Sequence, residues 1–436
     1  MKIKFLSILL VFGWGAIFGQ VAKPTKGTGT FALTNASIQT VTKGLVQGTL
    51  VIQNGKITAL GANAAVPAGA QVIDCKGLTL YPGMIDGGTQ LGLVEVSSVD
   101  VTNDSDELGD LTPQVEALTA VNPNATAIPV TRVNGVTTVI AAPAGGRFPG
   151  TASLINLVGY TPDQMFAGFK GMVMNFPSTG GRGGGFFGPQ RSEEDLKKEQ
   201  EKAVTRLNEI WEGARFYARI DSAASKNAET KVPYNPEMAA LLPVVRGKML
   251  LMIEVNRAED IENAIKWVES KKITNVVFTG VAEGWRVADK LAKAKISVIT
   301  GPVIALPTRS SDRYDKAYAN AGLMHKAGVK VALRTGDTEN VRNLPFHAGF
   351  AAAYGLGKEQ ALRAITIIPA EIFGVADKLG SLEVGKNATL FASTGDALET
   401  RSQIKYLFID GWQVPLDSRH IQLYNEFLKR SPGLDK

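Results

Sequence analysis

Residues 81–92 read Tyr-Pro-Gly-Met-Ile-Asp-Gly-Gly-Thr-Gln-Leu-Gly. Two residues one apart on a strand point the same way, and in this stretch positions 88 and 90 hold glycine and glutamine. Neither supplies a charge or an imidazole. The segment divides two unlike regions, and its reading depends on both.

Before it, residues 30–80 alternate and turn like β structure. Leu50-Val51-Ile52-Gln53, Asn54-Gly55 and Lys56-Ile57-Thr58-Ala59-Leu60 spell a strand, a type I′ turn and a second strand. The pattern returns near the C-terminus in Tyr406-Leu407-Phe408-Ile409, Asp410-Gly411 and Trp412-Gln413-Val414. These β-rich ends predict a small β-sandwich domain assembled from residues 28–80 and 380–416. After the segment, residues 81–379 alternate β-branched runs (136–140, 249–255, 275–279, 296–299 and 329–333) with helical patterns such as 258–271 and 283–294. That alternation predicts α/β structure with a parallel sheet. About 300 residues accommodate the eight βα units of a (β/α)8 TIM-type barrel, and spacing alone leaves a doubly wound sheet open.

A glycine-rich insertion spans 178–191, with Thr-Gly-Gly-Arg-Gly-Gly-Gly-Phe-Phe-Gly at 179–188. No Gly-Lys-Ser/Thr follows, so it is not a phosphate loop. It reads as a surface excursion, or as a lid tipped by Phe186 and Phe187. Ser192, followed by acidic residues, predicts the N-cap of a long helix.

The N-terminus predicts export. Lys2 and Lys4 precede an apolar run over residues 5–18, and a polar stretch begins at Lys23. That layout is a signal peptide over residues 1–20, shorter than the roughly 20 apolar residues of a spanning helix. The single cysteine, Cys75, excludes an internal disulfide. A periplasmic or secreted bacterial location is expected. The formal net charge of +6 comes with no Lys/Arg stripe interleaved with aromatics, so no nucleic-acid partner is expected.

Residues 81–92 resemble the Pro-Gly-Leu-Ile-Asp-x-His-x-His-x-Gly signature of the amidohydrolase superfamily. Further motifs resemble its imidazolonepropionase-like branch, in order along the chain: Asn134-Gly135-Val136-Thr137-Thr138-Val139, Ala361-Leu362-Arg363-Ala364-Ile365-Thr366-Ile367-Ile368-Pro369-Ala370 and Gly380-Ser381-Leu382-Glu383-Val384-Gly385-Lys386. The resemblance implies hydrolysis of non-peptide C–N bonds at a binuclear metal site. In this chain Gly88 and Gln90 replace the strand-one histidines, Glu254 and Thr279 occupy the strand-five and strand-six histidine slots, and Val173 falls near the bridging position. Asp337 remains on strand eight. The whole chain has three histidines, His325, His347 and His420, whereas the family site takes four from three strands. Metal ligands are therefore expected to be none, and no cofactor is expected.

The residues left at the expected mouth are Asp337 and Glu254 as candidate catalytic carboxylates, and Gln90, Thr279, Arg334 and His347 as candidate binding residues. The carboxylates can share acid and base roles or hold one hard cation. The simpler reading pairs Glu254 with Arg257 or Arg334, an arginine taking the electrostatic role of a lost metal. Asp104, Asp106 and Glu107 read as a solvated acidic loop or a pocket wall. The expected function is a pseudoenzyme or partner subunit that binds a small molecule, as a homo-oligomer or beside an active relative. The alternative is an active hydrolase of cyclic amides or dipeptide-like substrates using Asp337 and Glu254.

Overall fold

The computed structural model describes residues 29–178, 192–227 and 231–430. The predicted signal peptide and all of the glycine-rich insertion except Ser178 lie outside the described residues.

The strands divide into two eight-stranded sheets. The terminal sheet contains β1 (Phe31–Gln39), β2 (Leu45–Gln53), β3 (Lys56–Gly61), β4 (Gln71–Asp74) and β5 (Thr79–Pro82) from the N-terminal side. From the far end of the chain come β14 (Leu390–Ser393), β15 (Ile404–Ile409) and β16 (Trp412–Gln413). The strands form one continuous hydrogen-bonded sheet in place of the expected two-sheet sandwich, because β1 is shared. Its first half pairs with β4 and its second half with β5. The change of partner coincides with a bulge at Asn35, whose φ is 57°. Leu33, Ile52, Leu80, Leu390 and Phe408 fill the core against this sheet. Both hairpin turns have the backbone that the sequence predicts: Asn54 and Gly55 at φ 50° and 78°, Asp410 and Gly411 at 50° and 76°. The turns also touch. A Cβ on Gly411 would lie 2.3 Å from Gly55 Cα, so glycine at 411 serves the turn and the contact together.

The barrel sheet runs β6 (Met84–Thr89), β7 (Val136–Ala141), β8 (Gly150–Asn156), β9 (Phe166–Asn175), β10 (Leu250–Val255), β11 (Val276–Gly280), β12 (Ser297–Thr300) and β13 (Val331–Leu333). It departs from eight parallel βα units at one place: β8 runs antiparallel to both neighbours. The segment joining β7 to β8 covers only residues 142–149. A parallel crossover takes about a dozen residues or more, so the chain turns back as a hairpin.

Side-chain alternation splits the barrel strands between two cores. Ile85, Ile140, Leu154, Met252, Val277 and Ala332 fill the interior, while Met84, Val139, Leu251, Phe278 and Leu333 pack outward against the helices. Moving two residues along β10, β11 and β13 from the interior layer reaches Glu254, Thr279 and Arg334. The parity that buries the core thereby delivers these three side chains to the mouth. The seam between β13 and β6 is closed by few bonds. Gly336 N–H donates to Gly88 O at 3.1 Å, and Gln90 N–H to Asp337 O at 3.2 Å. The barrel is thus nearly closed, with the 81–92 segment at its seam.

Candidate functional site

A cleft of about 1460 Å³ opens at the C-terminal ends of the barrel strands. Gly88, Gln90, Val173, Glu254, Thr279 and Arg334 form part of its floor. Four of the six candidate residues, Gln90, Glu254, Thr279 and Arg334, are therefore brought together. Asp337 and His347 are not among the lining residues.

Glu254 and Arg334 form the centre of the floor. Arg334 Nη1 and Nη2 donate to the two carboxylate oxygens at 2.8 and 2.7 Å. The Thr279 hydroxyl donates to Oε2 at 2.7 Å, and Asn256 Nδ2 to Oε1 at 3.1 Å. The side chains are 26% and 17% exposed, so the pair is largely withdrawn from solvent. Burial pushes the Glu254 carboxyl up, but the charge and hydrogen bonds of Arg334, with those of Thr279 and Asn256, outweigh it and hold the group below the usual carboxylate range. Of the two arginines that the sequence offered, the partner is Arg334. Gly88 lies directly beside it: a Cβ built there would sit 3.1 Å from Arg334 Cδ and 3.6 Å from Nη1.

The two remaining candidates have structural partners. Asp337 Oδ1 accepts the backbone N–H groups of Thr338, Glu339 and Asn340 at 2.7, 3.1 and 3.1 Å. It thus folds the loop after β13 onto itself, and Asp337, expected at the mouth, is not among the residues that line the cleft. His347, expected at the mouth, is buried in the helix Leu344–Ala351. Its Nδ1 accepts Val303 N–H at 3.1 Å. Burial, offset only in part by the Asp337 charge, pulls its pKa down to about 4, so the imidazole is neutral near pH 7. His325 and His420 are exposed on helices.

Sequence reasoning missed Asp86. It is fully buried, and accepts the Thr335 hydroxyl at 2.6 Å, Thr335 N–H at 3.1 Å and Gly88 N–H at 3.1 Å. It therefore ties β6 to the residue after Arg334 across the barrel seam. Burial raises its pKa to about 7, against the lowering effect of these bonds and of Arg334. The wall formed by residues 142–147 was missed as well, although Pro143, Gly145 and Gly146 marked a turn. Ala144 N–H donates to Ser105 O at 2.7 Å and Arg147 N–H to Asp110 O at 2.6 Å. These bonds fix the acidic loop as part of the cleft, lined by Asp100, Asp106, Glu107 and Asp110. Arg147 Nη1 donates to Asn175 O at 2.6 Å and stands among these acids.

The donor set does not fit a divalent metal. Both Glu254 oxygens are committed to cationic and neutral donors, Thr279 uses its proton on Glu254, Gly88 has no side chain to offer and the Val173 side chain is apolar. Among the described residues no three His, Cys, Asp or Glu side chains converge to hold a metal ion. No helix among them is long and apolar enough to cross a membrane.

Comparison with known proteins places this geometry. Amidohydrolase tasK of Hapsidospora irregularis is 20% identical over 391 residues, which cover 84% of this chain and 39% of that protein. The chain thus spans about two fifths of that relative's length. The crystal structure of an amidohydrolase from Thermotoga maritima MSB8 superposes with a TM-score of 0.77 at 25% identity, over 88% of this chain and 99% of that one. A Xaa-Pro dipeptidase with methionine bound in its active site shares the fold alone, with a TM-score of 0.51 at 14% identity and coverage of 88% and 99%. The amidohydrolase family model matches residues 125–414, well over half of the chain, and this protein belongs to the amidohydrolase family.

Proposed function

We propose that this protein is an exported pseudoenzyme of the imidazolonepropionase-like branch, which binds a small molecule in its barrel cleft and does not hydrolyse it. A single observation supports the reading: the Glu254 carboxylate is held through both oxygens by Arg334 and again by Thr279. A general base needs a free lone pair aimed at the proton it takes, and a metal ligand needs an oxygen not already held by a cation. Glu254 offers neither. The alternative of an active hydrolase is weakened by Asp337, whose Oδ1 closes its own loop. Gln90 and Thr279 then serve as polar contacts for a bound ligand, and the cleft exceeds the roughly 300–1,000 Å³ of pockets for drug-sized ligands. The partner is a second copy or an active relative.

The test is a hydrolysis screen of the purified protein on dipeptides and hydantoin-like rings, with and without added zinc or manganese. No turnover above the protein-free rate is expected in either condition. Turnover that Glu254→Gln abolishes would sink the reading.

A further inference from the structure

Three barrel strands bring their ends to one point. Position 88 comes from β6, Glu254 from β10 and Thr279 from β11, and each stands where the family resemblance puts a metal ligand. The Arg334 side chain lies among them. Its guanidinium grips Glu254 at 2.7 and 2.8 Å, Glu254 in turn takes the Thr279 proton at 2.7 Å, and Arg334 Cδ passes 3.1 Å from where a residue-88 Cβ would be. We infer that Arg334 is a resident cation occupying the position of the family's metal, and that Gly88 is the residue that admits it. The inference deepens the non-hydrolytic reading and rests on it for the site's chemistry, but its test does not depend on activity.

The physical argument has two parts. The first is charge. A carboxylate withdrawn into the barrel mouth requires a counter-cation, and a planar guanidinium meets it with two parallel bonds. A metal ion and the guanidinium need the same oxygens and carry the same sign, so they exclude one another. The second part is volume. A separation of 3.1 Å is closer than side-chain carbons normally approach, so any side chain at 88 presses on the arginine stem. A histidine at 88 and an arginine at 334 therefore compete for one space. Loss of the strand-one ligand and gain of the internal cation form one device, in which Gly88, Glu254 and Arg334 depend on each other.

The experiment uses the full chain in urea unfolding and in zinc titration by calorimetry. Two double-mutant cycles are built: Glu254→Gln with Arg334→Met, and Gly88→Ala with Arg334→Ala. In the first, Arg334→Met alone should lower the unfolding midpoint most, and adding Glu254→Gln should restore part of the loss. In the second, Gly88→Ala should lower the midpoint of the parent but leave that of Arg334→Ala unchanged, because the atoms it presses on are gone. Wild type should take up no stoichiometric zinc. If an arginine variant fails to fold, Gly88→Ala, Glu254→Gln and the zinc arm still decide the question. Additive effects in both cycles, or one-to-one zinc uptake that Glu254→Gln abolishes, overturn the inference. Hydrolysis by metal-free protein would remove the functional reading and leave both couplings intact, whereas additive cycles would remove the resident cation and leave the functional reading intact.

Discussion

Three carboxylates among the described residues are each gripped by an arginine through both oxygens: Asp315 by Arg313, two residues before it, and two others across the fold in different settings. Glu254 meets Arg334 at 2.8 and 2.7 Å on the cleft floor, and every donor recorded to it is a side chain. Glu283 meets Arg309 at 2.6 and 2.6 Å and also accepts Ala258 N–H at 2.9 Å, closing the start of the helix Ala258–Lys271. Glu283 is 1% exposed, but its arginine is 44% exposed. An ion pair anchored to backbone at a helix end belongs to the scaffold, since geometry and a capped helix both need it. A pair built from side chains that converge in a cleft anchors no backbone element and belongs to the cleft floor. The same bidentate chemistry therefore serves fold in one place and site in the other.

The contrast is most exposed to failure in the arginines. Arg334→Met leaves a largely buried carboxylate without its cation and should cost about 3–5 kcal/mol. Arg309→Met also takes the cation from a buried carboxylate, but that guanidinium is half in solvent and Ala258 N–H still holds Glu283, so the cost should be smaller, about 1–3 kcal/mol. Urea unfolding of the two variants checks this, and equal losses break the comparison. Thr279→Val removes one donor to a charged oxygen, and should cost about 1.5–3 kcal/mol by the same measurement while leaving the Glu283 clamp untouched.

Asp86 sharpens the contrast as a buried carboxyl with no arginine bonded to it. Its pKa is raised to about 7, so the folded state holds a proton that the unfolded chain, with an ordinary value of about 3.9, has released. Its contribution to stability is full below about pH 4 and is lost as pH rises through about 7. Glu254 and Glu283, both lowered, behave in the opposite sense: their contribution is present above the unfolded value and lost as pH falls through the folded one. Asp86→Asn should therefore remove a fall in stability of at most about 1.4 kcal/mol per pH unit between about pH 4 and 7. An unchanged urea midpoint profile over that range would contradict this. The smallest effect concerns salt. At about 1 M ionic strength the Arg309→Met penalty should shrink by a few tenths of a kcal/mol, and that of Arg334→Met should not.

Much of the fold was legible locally. The Asn54-Gly55 and Asp410-Gly411 turns fixed both hairpins, because only residues tolerant of positive φ suit them. The strand-helix alternation read correctly through β10 to β13. The reversed β8 was not anticipated, since its apolar pattern resembles that of a parallel strand and only the short connection at 142–149 betrays its direction. At the cleft, the positions of Glu254, Thr279, Arg334 and Gln90 on its floor were legible from their places at strand ends. Asp337 and His347 do not line the cleft, because proximity to a strand end does not say which way a loop turns its side chains. Asp86 was overlooked inside the quoted signature itself, where it read as part of a strand.

The sequence by itself determined which chemical groups the chain can bring to the barrel mouth. The chain has three histidines, and Gly88 and Val173 bring no polar side-chain atom whatever the fold does with them. Only the tertiary structure decided what fills the place. Glu254 and Arg334 are 80 residues apart, so their pairing depends on the curvature of a barrel that brings β10 and β13 to one mouth. Gly88 acquires its meaning from an arginine stem on the other side of the seam, whose Cδ would lie 3.1 Å from a Cβ at position 88. Composition sets which groups exist, and packing across the barrel sets which of them meet.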